Sequence, residues 1–328
     1  MTANQVFRRM YGLRLGPGLG RGLTQLLITL LITTPFAVSA HAGEVLTTHK
    51  LAENVYALVG PLTNRDARNL GNNANFGIVV TDEGVVLIDP GGTFRGAQMI
   101  EAAIRKLIDK PVTLVINTGG QDHRWLGNGY FKAKGARIIA SERAVADQKA
   151  RYRDQLIALA TLVGAEGVEG TEAVYADEVF AEQTTLSLGK TRLEVRHAGP
   201  AHTPGDSFVW LPEQKILFSG DIVYMDRMLS IGPQSAHRSW IEAFDALAAL
   251  EPEIVVAGHG DPATLTKATA DSRDYLVFLR EAVIDLMEGG GGIEEVGTID
   301  QSQFSYLANY DELKGRNAQR VYEEIEWE

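Results

Sequence analysis

The 328 residues contain no cysteine. That absence excludes a disulfide framework, a cysteine nucleophile and a thiolate metal ligand, and it leaves folding to the hydrophobic core alone. Acidic residues are missing from the first forty positions, which carry Arg8, Arg9, Arg14 and Arg21. A membrane-spanning run is missing there too. Leu26 to Val38 is nearly all apolar but only about thirteen residues long and is interrupted by Thr33, Thr34 and Pro35, whereas roughly 20 are needed to cross a bilayer. A basic start, a short apolar stretch and the small residues of Val38-Ser39-Ala40 or Ala40-His41-Ala42 predict a cleaved secretory signal over residues 1–40. The expected location is therefore periplasmic or secreted, with no stable membrane insertion after cleavage. A basic surplus is lacking as well. Loss of the four arginines takes the formal net charge from −11 to −15, a sign that repels nucleic acid and anionic membranes. A small-molecule substrate is the expected partner.

What is present alternates between strand and helix signals. Phe76–Val80 and Gly84–Ile88 are short β-branched runs joined by a hairpin turn, and the second stops at Asp89-Pro90-Gly91. Helical spacing follows over 95–109, then a strand at 112–116, a strand at 136–140, and a helix opened by Ser141 and running to about 163. Strands are predicted at 184–188, 191–197, 207–211 and 215–219, a helix at 238–250, a strand at 253–257 and a long helix at 265–288 before Gly289–Gly292. This alternation gives an α/β (α+β) class.

Candidate chemistry sits where strands end. His202 lies in Ala201-His202-Thr203-Pro204-Gly205-Asp206, Asp221 in Ser219-Gly220-Asp221, and His259 in Ala257-Gly258-His259-Gly260. Two imidazoles and a carboxylate suit a borderline-soft ion such as zinc. A further segment, Asn117-Thr118-Gly119-Gly120-Gln121-Asp122-His123-Arg124, follows the strand at 112–116.

Together with Val86-Leu87-Ile88-Asp89-Pro90-Gly91 and Gly127-Asn128, these segments resemble the metallo-β-lactamase-fold hydrolase superfamily over about residues 44–265. The resemblance implies a four-layer αβ/βα sandwich over 41–264, with metal at one edge between two sheets and residues 265–328 as a helical C-terminal extension packed on the domain. It implies that His202 is a first-site ligand, Asp221 the bridge and His259 a second-site ligand, with Asp89 hydrogen-bonded behind the ligands. The family's histidine-rich stretch, Asn-Thr-His-x-His-x-Asp-His, is not kept. Without gaps, its two first-site histidines become Gly119 and Gln121, its aspartate His123 and its last histidine Arg124. With a one-residue slip, Asp122-His123 falls on the family's Asp-His pair; this second alignment preserves the chemistry and is taken as the expectation. It gives Asp122, His123, Asp221 and His259 as ligands of one zinc ion, with Asp122, Gln121 and Arg124 as catalytic candidates. Gln121 or Arg124 would stabilise an oxyanion in place of the absent second ion. The implied activity is water attack on an ester, thioester, lactone, amide or phosphoester. The alternative is a catalytically silent binding or accessory protein on the same fold.

Overall fold

The computed structural model describes residues 45–328, so the predicted signal at 1–40 lies outside the described residues. Seven strands, β1 (Thr47–Ala52), β2 (Val55–Val59), β3 (Phe76–Thr81), β4 (Gly84–Ile88), β5 (Val112–Asn117), β6 (Arg137–Ser141) and β7 (Glu178–Phe180), pair in that order. The first four are antiparallel and β4 to β7 are parallel. A second sheet runs in the order β12-β11-β10-β9-β8, built from β8 (Gln183–Leu188), β9 (Thr191–Arg196), β10 (Phe208–Leu211), β11 (Ile216–Phe218) and β12 (Ile254–Val256). Its β11–β12 pair is parallel and the others antiparallel.

Side-chain alternation divides each sheet into two buried faces. Val86 and Ile88 of β4 and Leu114 and Ile116 of β5 share a core with Val209, Leu211 and Phe218 of the other sheet. Their neighbours Val85, Leu87 and Val115 face the other way, onto Ile100 and Ile104 of α1 (Phe94–Arg105) and Phe131 of α2 (Asn128–Ala133). Next in the chain, α3 (Glu142–Val163) starts where Ser141 Oγ accepts from Ala144 N at 3.0 Å and packs Leu159 and Val163 on Trp125. On the second sheet, Phe208, Trp210 and Leu217 point outward onto Trp240 and Phe244 of α4 (His237–Ala248). The outcome is the helix–sheet–sheet–helix α/β sandwich that the sequence predicts.

The C-terminal helices belong to the same outer core. Leu276, Leu279 and Val283 join it, as do Leu313, Ala318 and Val321. The helix expected over 265–288 is α5 (Leu265–Ala268), a wider π-helical turn at Thr269–Arg273, and α6 (Asp274–Glu288). The widened turn puts Ser272 Oγ where it donates to Tyr224 O at 2.6 Å and accepts from Tyr224 N at 2.9 Å. Beyond the glycines, α7 (Tyr310–Glu326) folds back along α6, and Arg280 clamps the Glu328 carboxylate. Among the described residues, no helix is long and apolar enough to cross a membrane.

Candidate metal centre

Loops leaving the ends of β4, β5, β11 and β12 converge on one buried spot. One ligand atom each from His123, Asp221 and His259 lies within 4.8 Å of the others, and all three residues are buried. His123 Nε2 is 3.1 Å from Asp221 Oδ2, and His259 Nε2 is 3.4 Å from Asp221 Oδ1. Two imidazole nitrogens and a carboxylate oxygen form a set that zinc accepts, so these residues fit a single ion.

Second contacts fix the rings. His259 Nδ1 lies 2.8 Å from Asn73 O and His202 Nδ1 3.0 Å from Ser230 O. A carbonyl can only accept, so in each ring Nδ1 carries the proton and Nε2 keeps its lone pair. Tyr224 stacks on His259 with centroids 4.6 Å apart. Burial pushes His202 down to about 4 and His259 well below the usual histidine range, outweighing the Asp221 charge that favours protonation. Both are therefore neutral at pH 7, the state that binds metal. His123 Nδ1 stands 3.0 Å from Asp122 Oδ1 and 2.8 Å from Arg65 Nη2, so its tautomer follows which of the two it engages.

Arg124 lies behind the trio and is about 1% exposed. Its Nε and Nη2 donate to the two oxygens of Asp221 at 3.2 and 2.7 Å, Nη1 donates to Asp89 Oδ2 at 2.8 Å, and the remaining N–H groups reach Asn75 O at 3.0 Å and Gly258 O at 3.2 Å. Five donors thus meet five acceptors. Burial alone would raise the Asp221 carboxyl, but Arg124 and His123 overcome it and hold it well below the usual carboxylate range. Gly258 is required for this contact, because a Cβ there would stand 2.6 Å from Arg124 Nη2 and 2.7 Å from Asp221 Oδ1. Asp89, held at φ +65, also accepts from Thr118 N at 2.8 Å and Thr118 Oγ1 at 2.7 Å. Asp89 thus stands behind Asp221, joined to it through Arg124.

The segment after β5 differs from the expected slip. His123 faces Asp221, whereas Asp122 turns to Arg65, whose Nη2 and Nε approach its Oδ1 at 2.6 and 3.1 Å. Asp122 is thus outside the ligand trio, and the ungapped alignment, with His123 in the aspartate position, describes the geometry. Arg124 has no N–H left for a substrate, so the expected oxyanion role does not fit it. His202 also lies outside the trio, although it lines the same cavity. Gly119 and Gly120 have no room for side chains. A Cβ on Gly119 would stand 2.5 Å from Asp206 Oδ1, and one on Gly120 would run into the Asp147 carboxylate. Gln121 does line the cavity, with its amide weakly engaged by Arg151 at 3.4 Å and Asp122 at 3.5 Å.

Sequence reading missed Arg65, Asn73 and Asn75. The one available signal was the density of asparagine in Asn72-Asn73-Ala74-Asn75. Asn75 Nδ2 donates to Ala257 O at 2.9 Å and Gly260 O at 2.6 Å, pinning the loop that carries His259. His123 and His259 open onto a cavity of about 330 Å³ lined also by His202, Tyr224, Arg227 and Arg316, with Asp221 buried behind them.

The profile of the metallo-beta-lactamase superfamily matches residues 70–259. A metallo-beta-lactamase type 2 from Elizabethkingia meningoseptica is 26% identical over 217 residues, which are 65% of this chain and 78% of that protein. A linear primary-alkylsulfatase from a Pseudomonas species is 18% identical over 257 residues; the match takes in 65% of this chain but 47% of the relative. Among solved structures, a metallo-beta-lactamase from Pontibacter korlensis superposes with a TM-score of 0.56 at 24% identity, covering 71% of this chain and 99% of that one.

Proposed function

We propose that this chain, which belongs to the metallo-beta-lactamase superfamily, is a hydrolase that holds one zinc ion on His123, Asp221 and His259 and works in the periplasm or as a secreted protein. The observation that carries the reading is the buried trio at the floor of a cavity between the strand ends of the two sheets. A zinc ion bound there supplies Lewis acidity and a water that ionises near neutral pH. The chain's own residues do the rest. Asn73 O orients the His259 ring and Ser230 O the His202 ring. Arg124 keeps Asp221 ionised. Gln121, at the cavity wall, offers its amide to a substrate oxygen, while His202, with Nδ1 turned to Ser230 O, presents only the Nε2 lone pair to a water or hydroxyl. A second ion has too few donors, because the chain supplies Gly119 and Gln121 where the family's first-site histidines would stand. Esters, thioesters, lactones, amides and phosphoesters fit this chemistry. Sulfate esters join them on the strength of the alkylsulfatase relative.

The test is metal content. Protein purified without added zinc should carry about one equivalent per chain, and His259→Ala and Asp221→Asn should lose it. Hydrolysis of a panel of those ester classes should follow metal content. One observation favours a second reading, a silent binding protein: both Asp221 oxygens already accept from Arg124. Wild-type protein that takes up no metal even from a zinc buffer would decide for it.

A further inference from the structure

His123 and His259 both face Asp221, but their rings are held in different ways. His259 turns its Nδ1 proton to Asn73 O and keeps at Nε2 the lone pair that an ion requires. His123 is arranged the other way round. A guanidinium can only donate, so Arg65 Nη2, 2.8 Å from His123 Nδ1, needs a lone pair on that nitrogen. The other neighbour of Nδ1, Asp122 Oδ1 at 3.0 Å, is already taken. It accepts from Arg65 Nη2 at 2.6 Å, from Arg65 Nε at 3.1 Å and from the His123 backbone N–H at 2.7 Å. An oxygen whose lone pairs are shared among these donors has none left for Nδ1–H. In the neutral ring the proton therefore sits on Nε2 and is donated to Asp221 Oδ2 at 3.1 Å. That is the nitrogen a metal would use.

Arg65 imposes this arrangement from a distance in the chain. It belongs to the segment between β2 and β3, 58 positions upstream of His123, and lines the same cavity. With its guanidinium withdrawn, Asp122 Oδ1 is free to accept from His123 Nδ1, and Nε2 turns a lone pair towards Asp221. Metal-bound histidines are commonly held in that second way, the outer nitrogen giving its proton to a carboxylate.

We propose that Arg65 is a positioning residue that sets the tautomer of His123 and so holds down the affinity of the trio for zinc. Uptake of the ion requires Arg65 to leave His123 Nδ1. The ring then gives up its Nε2 proton and takes one at Nδ1, shared with Asp122, with no net change in its charge. This rests on the hydrolase reading for the ion, whereas the tautomer of the metal-free protein does not. The experiment uses the full chain, metal-stripped and zinc-loaded. The His123 ring nitrogens are read by NMR with isotope-labelled histidine, and zinc affinity is measured by competition with a chromophoric chelator. Stripped wild-type protein is expected to carry the proton on Nε2 and the zinc-loaded protein on Nδ1. Arg65→Met should bind zinc about tenfold more tightly than wild type, the size of effect that partners behind a ligand commonly have. Arg65→Lys, which keeps a charged donor, should be the weaker zinc binder of the two variants. The tautomer is read on wild type, so the test holds even where Arg65→Met does not fold. An Nδ1–H tautomer in the stripped protein, or an Arg65→Met variant that binds zinc no more tightly than a zinc-carrying wild type, overturns the assignment and leaves the hydrolase reading standing. Zinc uptake by Arg65→Met but not by wild type upholds the role of Arg65 and refutes the hydrolase reading of the native chain. Uptake by neither refutes both.

Discussion

At the residue scale, the centre is organised by one internal cation. Arg124 joins Asp89 to Asp221, and removing it takes the guanidinium from two buried carboxylates, leaving Asp89 only Thr118 and Asp221 only the two histidines. Arg124→Leu should therefore destabilise the fold by about 3–5 kcal/mol, read as a lower urea midpoint at unchanged slope. Arg124→Lys can reach only one carboxylate well and should fall between the two. An Arg124→Leu variant as stable as wild type would show that Asp89 and Asp221 are not both ionised. The same residue explains what the sequence could and could not tell. Asp89, Asp221 and His259 were legible because each stands just past the end of an apolar strand, β4, β11 or β12, whereas His202 lies in the loop between β9 and β10 and was singled out by its motif alone. Whether Asp122 joins His123 beside Asp221 was not legible. It is decided by Arg65, 57 positions upstream of Asp122 and in no motif, whose charge draws the Asp122 carboxylate away from the trio.

At the element scale, a buried histidine and the Glu324 carboxylate of α7, which accepts from His237 N at 2.8 Å and Arg238 N at 3.1 Å, together hold the start of α4. His237, its first residue, is buried, places Nε2 2.8 Å from Leu276 O of α6 and leaves Nδ1 without a partner. Burial pushes its pKa down to about 4, despite that carbonyl contact favouring the charged form. The folded state thus binds its proton less readily than the unfolded chain, whose histidine titrates near 6.5. Stability from this group is complete above that value and is lost as pH falls from about 6.5 to about 4, by up to roughly 3 kcal/mol. His237→Gln keeps a donor for Leu276 O and should flatten the fall in urea midpoint between pH 7 and 5. An unaltered slope would place the titration elsewhere. Helix α3 was legible from its Ser141 cap, whereas β7 was not: three residues at a sheet edge, two of them exposed, show no periodicity. Nor did the π-turn at Thr269–Arg273 announce itself. It depends on Ser272 meeting Tyr224, a contact 48 residues apart in the chain.

At the scale of the whole molecule, residues 265–328 are read by sequence as an extension, yet they have no separate core. Leu276, Leu313 and Val321 pack with Leu217, Phe208 and Trp240 of the second sheet and α4. They also wall the cavity, through Asn309, Leu313 and Arg316. Deleting residues 310–328 should therefore do two things at once. It uncovers the outer face of the second sheet, where each fully buried large apolar side chain is worth about 1.5–3 kcal/mol. It also removes the rim arginine and the Glu328 carboxylate that clamps Arg280. With native stability typically about 5–15 kcal/mol, the truncated chain is expected to be insoluble or to melt at far lower temperature, and not to survive as a smaller folded protein. Leu313→Ala separates the two effects, since it opens a cavity costing about 2–5 kcal/mol while leaving Arg316 in place. A truncated chain that melts like wild type in a calorimetric scan would make residues 310–328 a dispensable appendage and would move the cavity wall to some other part of the fold.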